Sequence, residues 1–296
     1  MSLRLDKVGV VGCGLMGSGI AEVCARAGTA VAVVEADDRA LAAGRDRVAK
    51  SMDRAVRTGK LSEQERGDVE GRMRFTCDFD VLFDRDLVVE AVTEHEAAKF
   101  AVLAKIDAAV ANEEALLTSN TSSIPIIKLA MATRRPHHVV GLHFFNPVPV
   151  LSLVEIVPSL LTDDDVLTTV EAFVRDQLGK RPVRCKDRAG FVVNALLIPY
   201  VLSAIRMLES GFASAEDIDT GMVEGCAHPM GPLALADLIG LDTMAAVANS
   251  LYEEFKEPLY APPPMLSRLI EAGLLGRKTG RGFYTYTKAA KPTATG

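Results

Sequence analysis

The sequence lacks several features that would assign it to a specialised class of protein. No window of about 18 residues is apolar and free of charge, as a membrane-spanning helix requires. The first residues contain no apolar core followed by a small-residue cleavage site, so we do not expect a signal peptide. The formal net charge is −6, whereas proteins that bind nucleic acid usually carry a basic domain. We therefore expect neither a membrane nor a nucleic acid as partner.

Cysteines are few and scattered, and the common metal and hydrolase motifs are absent. The five cysteines, at positions 13, 24, 77, 185 and 226, form no C-x-x-C pair. We interpret them as reduced thiols and expect a cytoplasmic protein. The sequence has no H-E-x-x-H and no cluster of Cys and His, so no metal site is expected. It also has no G-x-S-x-G, the turn that carries the nucleophile of serine hydrolases.

What the sequence contains is a regular alternation of short apolar runs and helical patterns. The runs, each typical of a buried strand, cover residues 8–11, 30–34, 87–92, 116–118, 139–145 and 153–157. The helical patterns between them lie near residues 38–59, 95–110 and 164–178. This alternation predicts an α/β fold, with a mainly parallel, Rossmann-type doubly wound sheet over residues 1–186.

The pattern changes after Lys186, where the strand-like runs stop. Helical stretches follow, separated by Gly and Pro punctuation such as HPMGP and APPP, at residues 191–210, 215–223, 233–255 and 265–272. We predict that residues 187–296 form an all-α C-terminal domain.

A glycine-rich turn follows the first predicted strand. Gly12, Gly14 and Gly17 form G-x-G-x-x-G, and Glu35 ends the next predicted strand. In this context the glycines permit a tight turn, close approach of a pyrophosphate and close packing of the helix. Glu35 is placed to accept hydrogen bonds from the ribose hydroxyls and favours NAD over NADP, although the nearby Arg39 weakens that preference. The alternative is a glycine turn that binds no nucleotide.

Basic residues line one face of the second predicted helix. Arg47, Lys50, Arg54 and Arg57 are spaced three or four residues apart, and Lys60 follows. On an acidic protein such a stripe can hold an anionic ligand such as the phosphates of CoA. The alternative is a solvated face whose charges pair with the acidic residues of the same helix.

One histidine lies inside an apolar run, and a glutamate lies inside the next. His143 occurs in VVGLHFFNPVP and Glu155 in LVEIV. Both side chains are costly to bury without a partner. If the two runs adjoin, the carboxylate fixes the tautomer of the imidazole and makes His143 a general base for a hydroxyl proton. The alternative is a core histidine whose hydrogen bonds are satisfied.

Two further polar residues occupy comparable places. Ser122 lies in TSNTSS after an apolar run, and Asn194 lies in the otherwise apolar GFVVNALL. Each can hydrogen-bond a substrate oxygen. Taken singly, each can also be a helix-capping residue, and for Ser122 the capping and catalytic roles are compatible.

Taken together, these motifs show that the sequence resembles the 3-hydroxyacyl-CoA dehydrogenase family, in particular its short bacterial members that act on 3-hydroxybutyryl-CoA. The resemblance runs nearly from end to end. The stretches that carry it are VGVVGCGLMGSGIA, VVEAVTE, SNTSSIPI, GLHFFNPVPVLSLVEIV, GFVVNALLIPY, DIDTGM, HPMGPLALADLIGLD and GRKTGRGFYTY.

The resemblance implies NAD-dependent, reversible oxidation of an (S)-3-hydroxyacyl-CoA to a 3-ketoacyl-CoA by a homodimer. The implied catalytic residues are His143 as base, Glu155 as the residue that orients it, and Ser122 and Asn194 near the reacting oxygens. The implied cofactor contacts are Gly12, Gly14, Leu15, Met16, Gly17, Glu35, Glu94, Lys99, Ser122, Asn146 and Lys278. The implied contacts to the CoA substrate are Ser51, Arg54, Arg57, Lys60 and Ser122.

Two alternatives stay open. A related NAD-dependent dehydrogenase of sugar acids such as L-gulonate is similar in its NAD domain and its His–Glu pair, although HPMGP, GRKTGRGFY and the basic helix favour CoA. A non-catalytic relative, such as some eye-lens crystallins, is disfavoured because all four implied catalytic residues are present. Ala195 departs from the family, many members of which have Arg there, and this leaves the acyl preference and the partner contacts open.

Overall fold

In the computed structural model, which describes residues 4–286, the chain divides into two compact units after Phe191. The expected boundary was Lys186. The difference arises because the connecting residues belong to the first unit. The Asp187 carboxylate accepts the backbone N–H groups of Ile126 and Ile127 at 2.8 and 2.9 Å, and Phe191 is buried in the first unit's core.

The first unit is built on one eight-stranded sheet. Its strands are β1 (Lys7–Val11), β2 (Ala30–Val34), β3 (Met73–Thr76), β4 (Leu87–Glu90), β5 (Leu116–Ser119), β6 (Val139–Phe144), β7 (Leu153–Pro158) and β8 (Arg181–Arg184). They lie in the order β3-β2-β1-β4-β5-β6-β7-β8, and every neighbouring pair is parallel except β6 and β7. The chain order reverses direction between β1 and β4, where α/β sheets of this type open a crevice for ligands.

Helices connect the strands and cover the sheet. They are α1 (Leu15–Arg26), α2 (Asp38–Arg57), α3 (Glu63–Gly71), α4 (Glu96–Ala109), α5 (Ile126–Ala130) and α6 (Asp164–Ala172), the last continued by a π-turn over Phe173–Gln177. Alternate residues of one strand enter different apolar clusters: Val8 and Val10 belong to one, and Val11 to the other. Because side chains alternate across a strand, the sheet has an apolar core on each face. This confirms the predicted doubly wound sheet.

The predictions omitted α3, α5, β3 and β8. The strands β3 and β8 lie at the two edges of the sheet, and their residues are half-buried or exposed. Edge strands lack the continuous apolar run of a central strand, so a search for buried runs does not detect them.

The second unit is helical, as predicted. Its helices are α7 (Val193–Glu209), α8 (Ala215–Cys226), α9 (Pro232–Ile239), α10 (Leu241–Phe255) and α11 (Pro264–Glu271). The single helix expected over residues 233–255 was wrong, because Gly240 has a φ of +105° and divides it into α9 and α10. Within residues 4–286 no single helix suffices to span a bilayer; only the sharply bent pair α9–α10 meets the length and composition criteria.

Candidate active site

The glycine-rich turn joins β1 to α1 at the crevice in the sheet. Gly12 has a φ of +91°, and a Cβ added there would lie 2.8 Å from the Ala91 backbone. A Cβ on Gly17 would lie 1.8 Å from the Gly12 carbonyl oxygen. By contrast, a Cβ on Gly14 would meet no atom within 4 Å. The two outer glycines are therefore required by packing, whereas Gly14 borders open space into which a ligand can come close to the backbone.

The N-terminus of α1 faces that open space. Gly14 is the N-cap, has no side chain to cap the helix, and no acidic residue lies in the first turn. The first intrahelical bond comes from the Ser18 N–H to the Gly14 carbonyl at 3.1 Å, so the N–H groups of Leu15, Met16 and Gly17 precede the intrahelical ladder. Free donors at the positive end of a helix dipole form an anion site. The residues present therefore fit the diphosphate of a dinucleotide.

Glu35 lies at the end of β2 beside this turn. Its carboxylate accepts the Cys13 N–H at 2.5 Å and the Ala36 N–H at 3.0 Å. The side chain is thus held at the turn, where a carboxylate with remaining acceptor capacity can take the hydroxyls of an adenosine ribose.

A second carboxylate, Glu94, accepts several hydrogen bonds from the loop that follows β5. It accepts the Thr121 hydroxyl at 2.6 Å and the backbone N–H groups of Ser122 and Ser123 at 2.8 and 3.1 Å. Burial alone would raise the pKa of Glu94, but the charge of Lys99 and these donors outweigh it and hold that pKa below its usual value. Ser122, which also donates its hydroxyl to Glu94 at 3.3 Å, is therefore positioned by an ionised carboxylate.

Lys99 lies beneath this loop and has no exposed surface. Its Nζ contacts both oxygens of the fully buried Glu90 at 2.8 and 3.0 Å, and Glu94 at 3.3 Å. Glu90 also accepts the Ser119 hydroxyl at 2.5 Å. In this arrangement Lys99 supports the loop from inside the unit, and the cofactor contact predicted for it stays a prediction.

His143 and Glu155 face each other on the antiparallel strands β6 and β7, at directly opposite positions of the register. The His143 Nδ1 lies 2.6 Å from Glu155 Oε2, and both side chains are buried. The rings of Phe145 and Phe191 pack against the imidazole, with centroids 4.6 and 5.4 Å away. The pair thus has the geometry of an imidazole whose tautomer is fixed by a carboxylate at Nδ1, so that Nε2 is the nitrogen left to act as an acceptor.

The basic face of α2 is heterogeneous. Lys50 pairs with Asp46 at 2.6 Å, and Arg47 donates to the Cys13 carbonyl at 3.1 Å. At the end of the helix and beyond it lie three exposed residues whose charged groups form neither an ion pair nor a hydrogen bond with a described residue: Arg54, Arg57 and Lys60. Ser51, half-buried, precedes them on the same helix. The stripe is therefore in part a paired, solvated face, and in part a cationic patch at the helix C-terminus.

The other predicted site residues are placed as follows. Asn146 is exposed in the loop after β6. Asn194 and Lys278 belong to the second unit: Asn194 is half-buried at the start of α7, and the Lys278 Nζ contacts both oxygens of Asp242 at 2.5 and 2.6 Å. The roles predicted for these three residues stay predictions.

Sequence reasoning missed two residues that shape the site. The Asn120 side chain accepts the Phe144 N–H at 2.8 Å and so ties the loop after β5 to the strand that carries His143. Glu90 forms the buried pair with Lys99. A charged residue within the apolar run LVVEAV was the available signal, because a buried charge requires a partner. No group of three or more His, Cys, Asp or Glu side chains suited to a metal ion occurs in the described part of the chain.

Comparison with known proteins matches both units to the same family. The profile of the 3-hydroxyacyl-CoA dehydrogenase NAD binding domain matches residues 7–188, and that of the family's C-terminal domain matches residues 190–286. The chain is 57% identical to a 3-hydroxybutyryl-CoA dehydrogenase of Mycobacterium tuberculosis over 286 residues, 97% of this chain and 100% of that protein. It is 40% identical to the human mitochondrial hydroxyacyl-coenzyme A dehydrogenase over 289 residues, 95% and 91% of the two chains.

Solved structures of similar proteins match this chain over nearly its whole length. The crystal structure of M. tuberculosis FadB2 matches with a TM-score of 0.95 at 57% identity, and that of (S)-3-hydroxybutyryl-CoA dehydrogenase from Ralstonia eutropha with 0.91 at 47%. Each match covers 96% of this chain and 100% of the other. With profiles that match both units and relatives that match along their whole length, the chain belongs to the 3-hydroxyacyl-CoA dehydrogenase family, and its first unit is the NAD-binding domain of that family.

Proposed function

We propose that this protein is an NAD-dependent 3-hydroxybutyryl-CoA dehydrogenase that interconverts (S)-3-hydroxybutyryl-CoA and acetoacetyl-CoA. The observation that carries the proposal is the buried His143–Glu155 pair, with 2.6 Å between Nδ1 and Oε2, in the same unit as the uncapped N-terminus of α1. The relatives and solved structures with these names are similar over nearly the whole chain.

The residues divide into those that hold NAD and those that move the proton. The turn from Gly12 to Gly17 takes the diphosphate at the start of α1, and Glu35 takes the adenosine ribose. When bound, NAD supplies the acceptor for the hydride that leaves carbon 3 of the substrate. Glu94 holds the loop of Ser122, so that the Ser122 hydroxyl lies at a fixed place beside the reacting groups.

The proton follows a separate path. His143 Nε2 accepts the proton of the 3-hydroxyl as the hydride leaves, and the carbon–oxygen single bond becomes the ketone. The Glu155 carboxylate stabilises the imidazolium that forms, because the two lie in a buried environment where opposite charges interact strongly. The products are acetoacetyl-CoA, NADH and one proton. A positioned base of this kind contributes on the order of 10²–10⁴ in rate.

Lys99 supports this arrangement from below. Its charge compensates Glu90 and lies 3.3 Å from Glu94, and thus keeps Glu94 ionised as an acceptor for the Ser122 loop. The cationic patch of Arg54, Arg57 and Lys60 offers a site for the phosphates of CoA, since no carboxylate of the described residues neutralises it.

The oligomeric state and the cellular compartment complete the proposal. Exposed apolar side chains on α7 and just after it, namely Leu196, Met207 and Phe212, support a homodimer formed through the second unit. The five free cysteines agree with a reducing compartment, and we propose that the protein acts in the cytoplasm.

The direct test is a substrate comparison with the purified protein. Oxidation of NADH is followed with acetoacetyl-CoA and with longer 3-ketoacyl-CoA esters, each with NADH and with NADPH, and reduction of NAD is followed with L-gulonate. We expect turnover with acetoacetyl-CoA and NADH. Turnover with gulonate alone would replace the proposal by the sugar-acid alternative, and the absence of any turnover would favour a non-catalytic relative.

A further inference from the structure

One residue of the basic face of α2 makes a contact that the cationic patch does not make. Arg47 is exposed, as Arg54 and Arg57 are, but its guanidinium donates to the Cys13 carbonyl at 3.1 Å. Cys13 lies between the first two glycines of the turn and is completely buried. Arg47 therefore contacts the backbone of the dinucleotide-binding turn.

Gly44 makes this contact possible. A Cβ on Gly44 would lie 2.7 Å from Cys13 Cβ and Sγ and 3.1 Å from its carbonyl oxygen, so the absence of a side chain lets α2 approach the turn. Arg47 lies three residues further on, on the same face of the helix. Its side chain consequently reaches the Cys13 carbonyl.

The peptide groups on both sides of Cys13 are held by charged side chains. Glu35 accepts the Cys13 N–H at 2.5 Å, and Arg47 donates to the Cys13 carbonyl. Both charges act at this residue: burial raises the pKa of the Cys13 thiol to about 12, Glu35 adds to the increase and Arg47 opposes it. The thiol is thus a neutral packing group, and its backbone is the part that is held.

The orientation of the Cys13 carbonyl determines the orientation of the next N–H. In a trans peptide the carbonyl of one residue and the N–H of the following residue lie in one plane and point in opposite directions. Fixing the Cys13 carbonyl therefore fixes the Gly14 N–H, at the residue where open space borders the backbone. The guanidinium also adds a positive charge close to an anion site.

We propose that Arg47 is a positioning residue for the diphosphate-binding turn: it sets the affinity for the dinucleotide and takes no part in binding CoA. The kinetic part of the test rests on the proposed function, whereas the binding part does not. The role is specific to the diphosphate, because the group that Arg47 orients is the peptide that precedes the start of α1.

The test compares Arg47→Met with Arg57→Met, the same substitution in the patch assigned to CoA. Dissociation constants for NADH are measured from the change in NADH fluorescence, which requires no turnover. Inhibition constants of ADP-ribose and of adenosine, and KM values for NADH and acetoacetyl-CoA, are measured in the dehydrogenase assay. Arg47→Lys, which retains the charge but not the guanidinium, is the conservative variant.

For Arg47→Met we expect the dissociation constant of NADH and the inhibition constant of ADP-ribose to rise by about tenfold, the size of one charge-assisted hydrogen bond. The inhibition constant of adenosine and the KM for acetoacetyl-CoA should change by less than about twofold, within the ordinary range for a surface substitution. For Arg57→Met the KM for acetoacetyl-CoA should rise, and the dissociation constant of NADH should change by less than about twofold. The constants of Arg47→Lys should lie between those of Arg47→Met and the wild type.

Three results would overturn the proposal. Unchanged NADH binding in Arg47→Met would remove the role altogether. Equal losses for adenosine and ADP-ribose would indicate a general disturbance of the domain. A rise in the KM for acetoacetyl-CoA alone would return Arg47 to the CoA patch. If the dehydrogenase assay fails for the wild type, the fluorescence of NADH and its displacement by ADP-ribose and by adenosine still decide the first two results.

Discussion

Replacing Glu155 by glutamine tests whether the carboxylate acts through the imidazole of His143. Glutamine has the same shape but no charge, and its amide can donate to Nδ1. A donor at this position favours the tautomer that carries its proton on Nε2, the nitrogen that has to accept the substrate proton. The variant therefore loses both the charge that stabilises the imidazolium and the tautomer that makes His143 a base.

The magnitude follows from the geometry. The Nδ1–Oε2 distance is 2.6 Å and both groups are buried, so the contact is a charge-assisted hydrogen bond worth about 1.5–3 kcal/mol. If the variant loses this energy in the transition state only, kcat falls by about 10- to 150-fold. Because the wrong tautomer adds to the loss, we expect the upper end of that range or more, with NADH binding unchanged.

The assay is a double-mutant cycle of His143→Ala, Glu155→Gln and the double variant, each measured for kcat and for NADH affinity. If Glu155 acts only through His143, the double variant should be no slower than His143→Ala alone, because groups that act as a unit are not additive. Glu171→Gln, which removes a half-buried carboxylate paired with Arg184, is the matched control and should leave kcat unchanged. A kcat of Glu155→Gln within about threefold of the wild type, or additive losses in the cycle, would refute the reasoning.

The remaining predictions concern the glycine turn and the buried network. Gly17→Ala should lower the melting temperature strongly, since its Cβ would lie 1.8 Å from a carbonyl oxygen, whereas Gly14→Ala should leave the melting temperature unchanged and weaken NADH binding. Lys99→Met leaves the buried charge of Glu90 without its cation, and urea unfolding should show a loss of about 3–5 kcal/mol. The pKa of Glu94 is lowered in the folded state, so wild type should exceed Glu94→Gln in stability at neutral pH, and this advantage should disappear as the pH falls below 4.5.

Each of these predictions has an outcome that contradicts it. Equal melting temperatures for the two glycine variants would show that the packing of α1 does not require Gly17. An unfolding free energy of Lys99→Met near the wild-type value would mean that Glu90 is compensated by other groups. An advantage over Glu94→Gln that grows in acid would reverse the sign inferred for that carboxylate.

The sequence by itself determined the features that depend on local order. Apolar runs bounded by turns placed the central strands, and the fixed spacing of Gly12, Gly14 and Gly17 before a helix placed the dinucleotide turn. Both depend on residues close in the chain, so the pattern carries the information. The edge strands β3 and β8, which are not continuously buried, did not have such a pattern, and the break at Gly240 was hidden within apolar helical residues.

The tertiary structure decided which side chains meet. His143 and Glu155 each stood out as polar residues in apolar runs, but only the register of β6 and β7 places them opposite each other, and a shift by one residue would turn either side chain to the other face of the sheet. Lys99 is buried because its Nζ pairs with Glu90 at the end of β4 and lies close to Glu94, and Arg47 contacts Cys13 because Gly44 lets α2 approach. These contacts join side chains of different strands, helices and loops, and their energies depend on burial and distance that no local pattern contains.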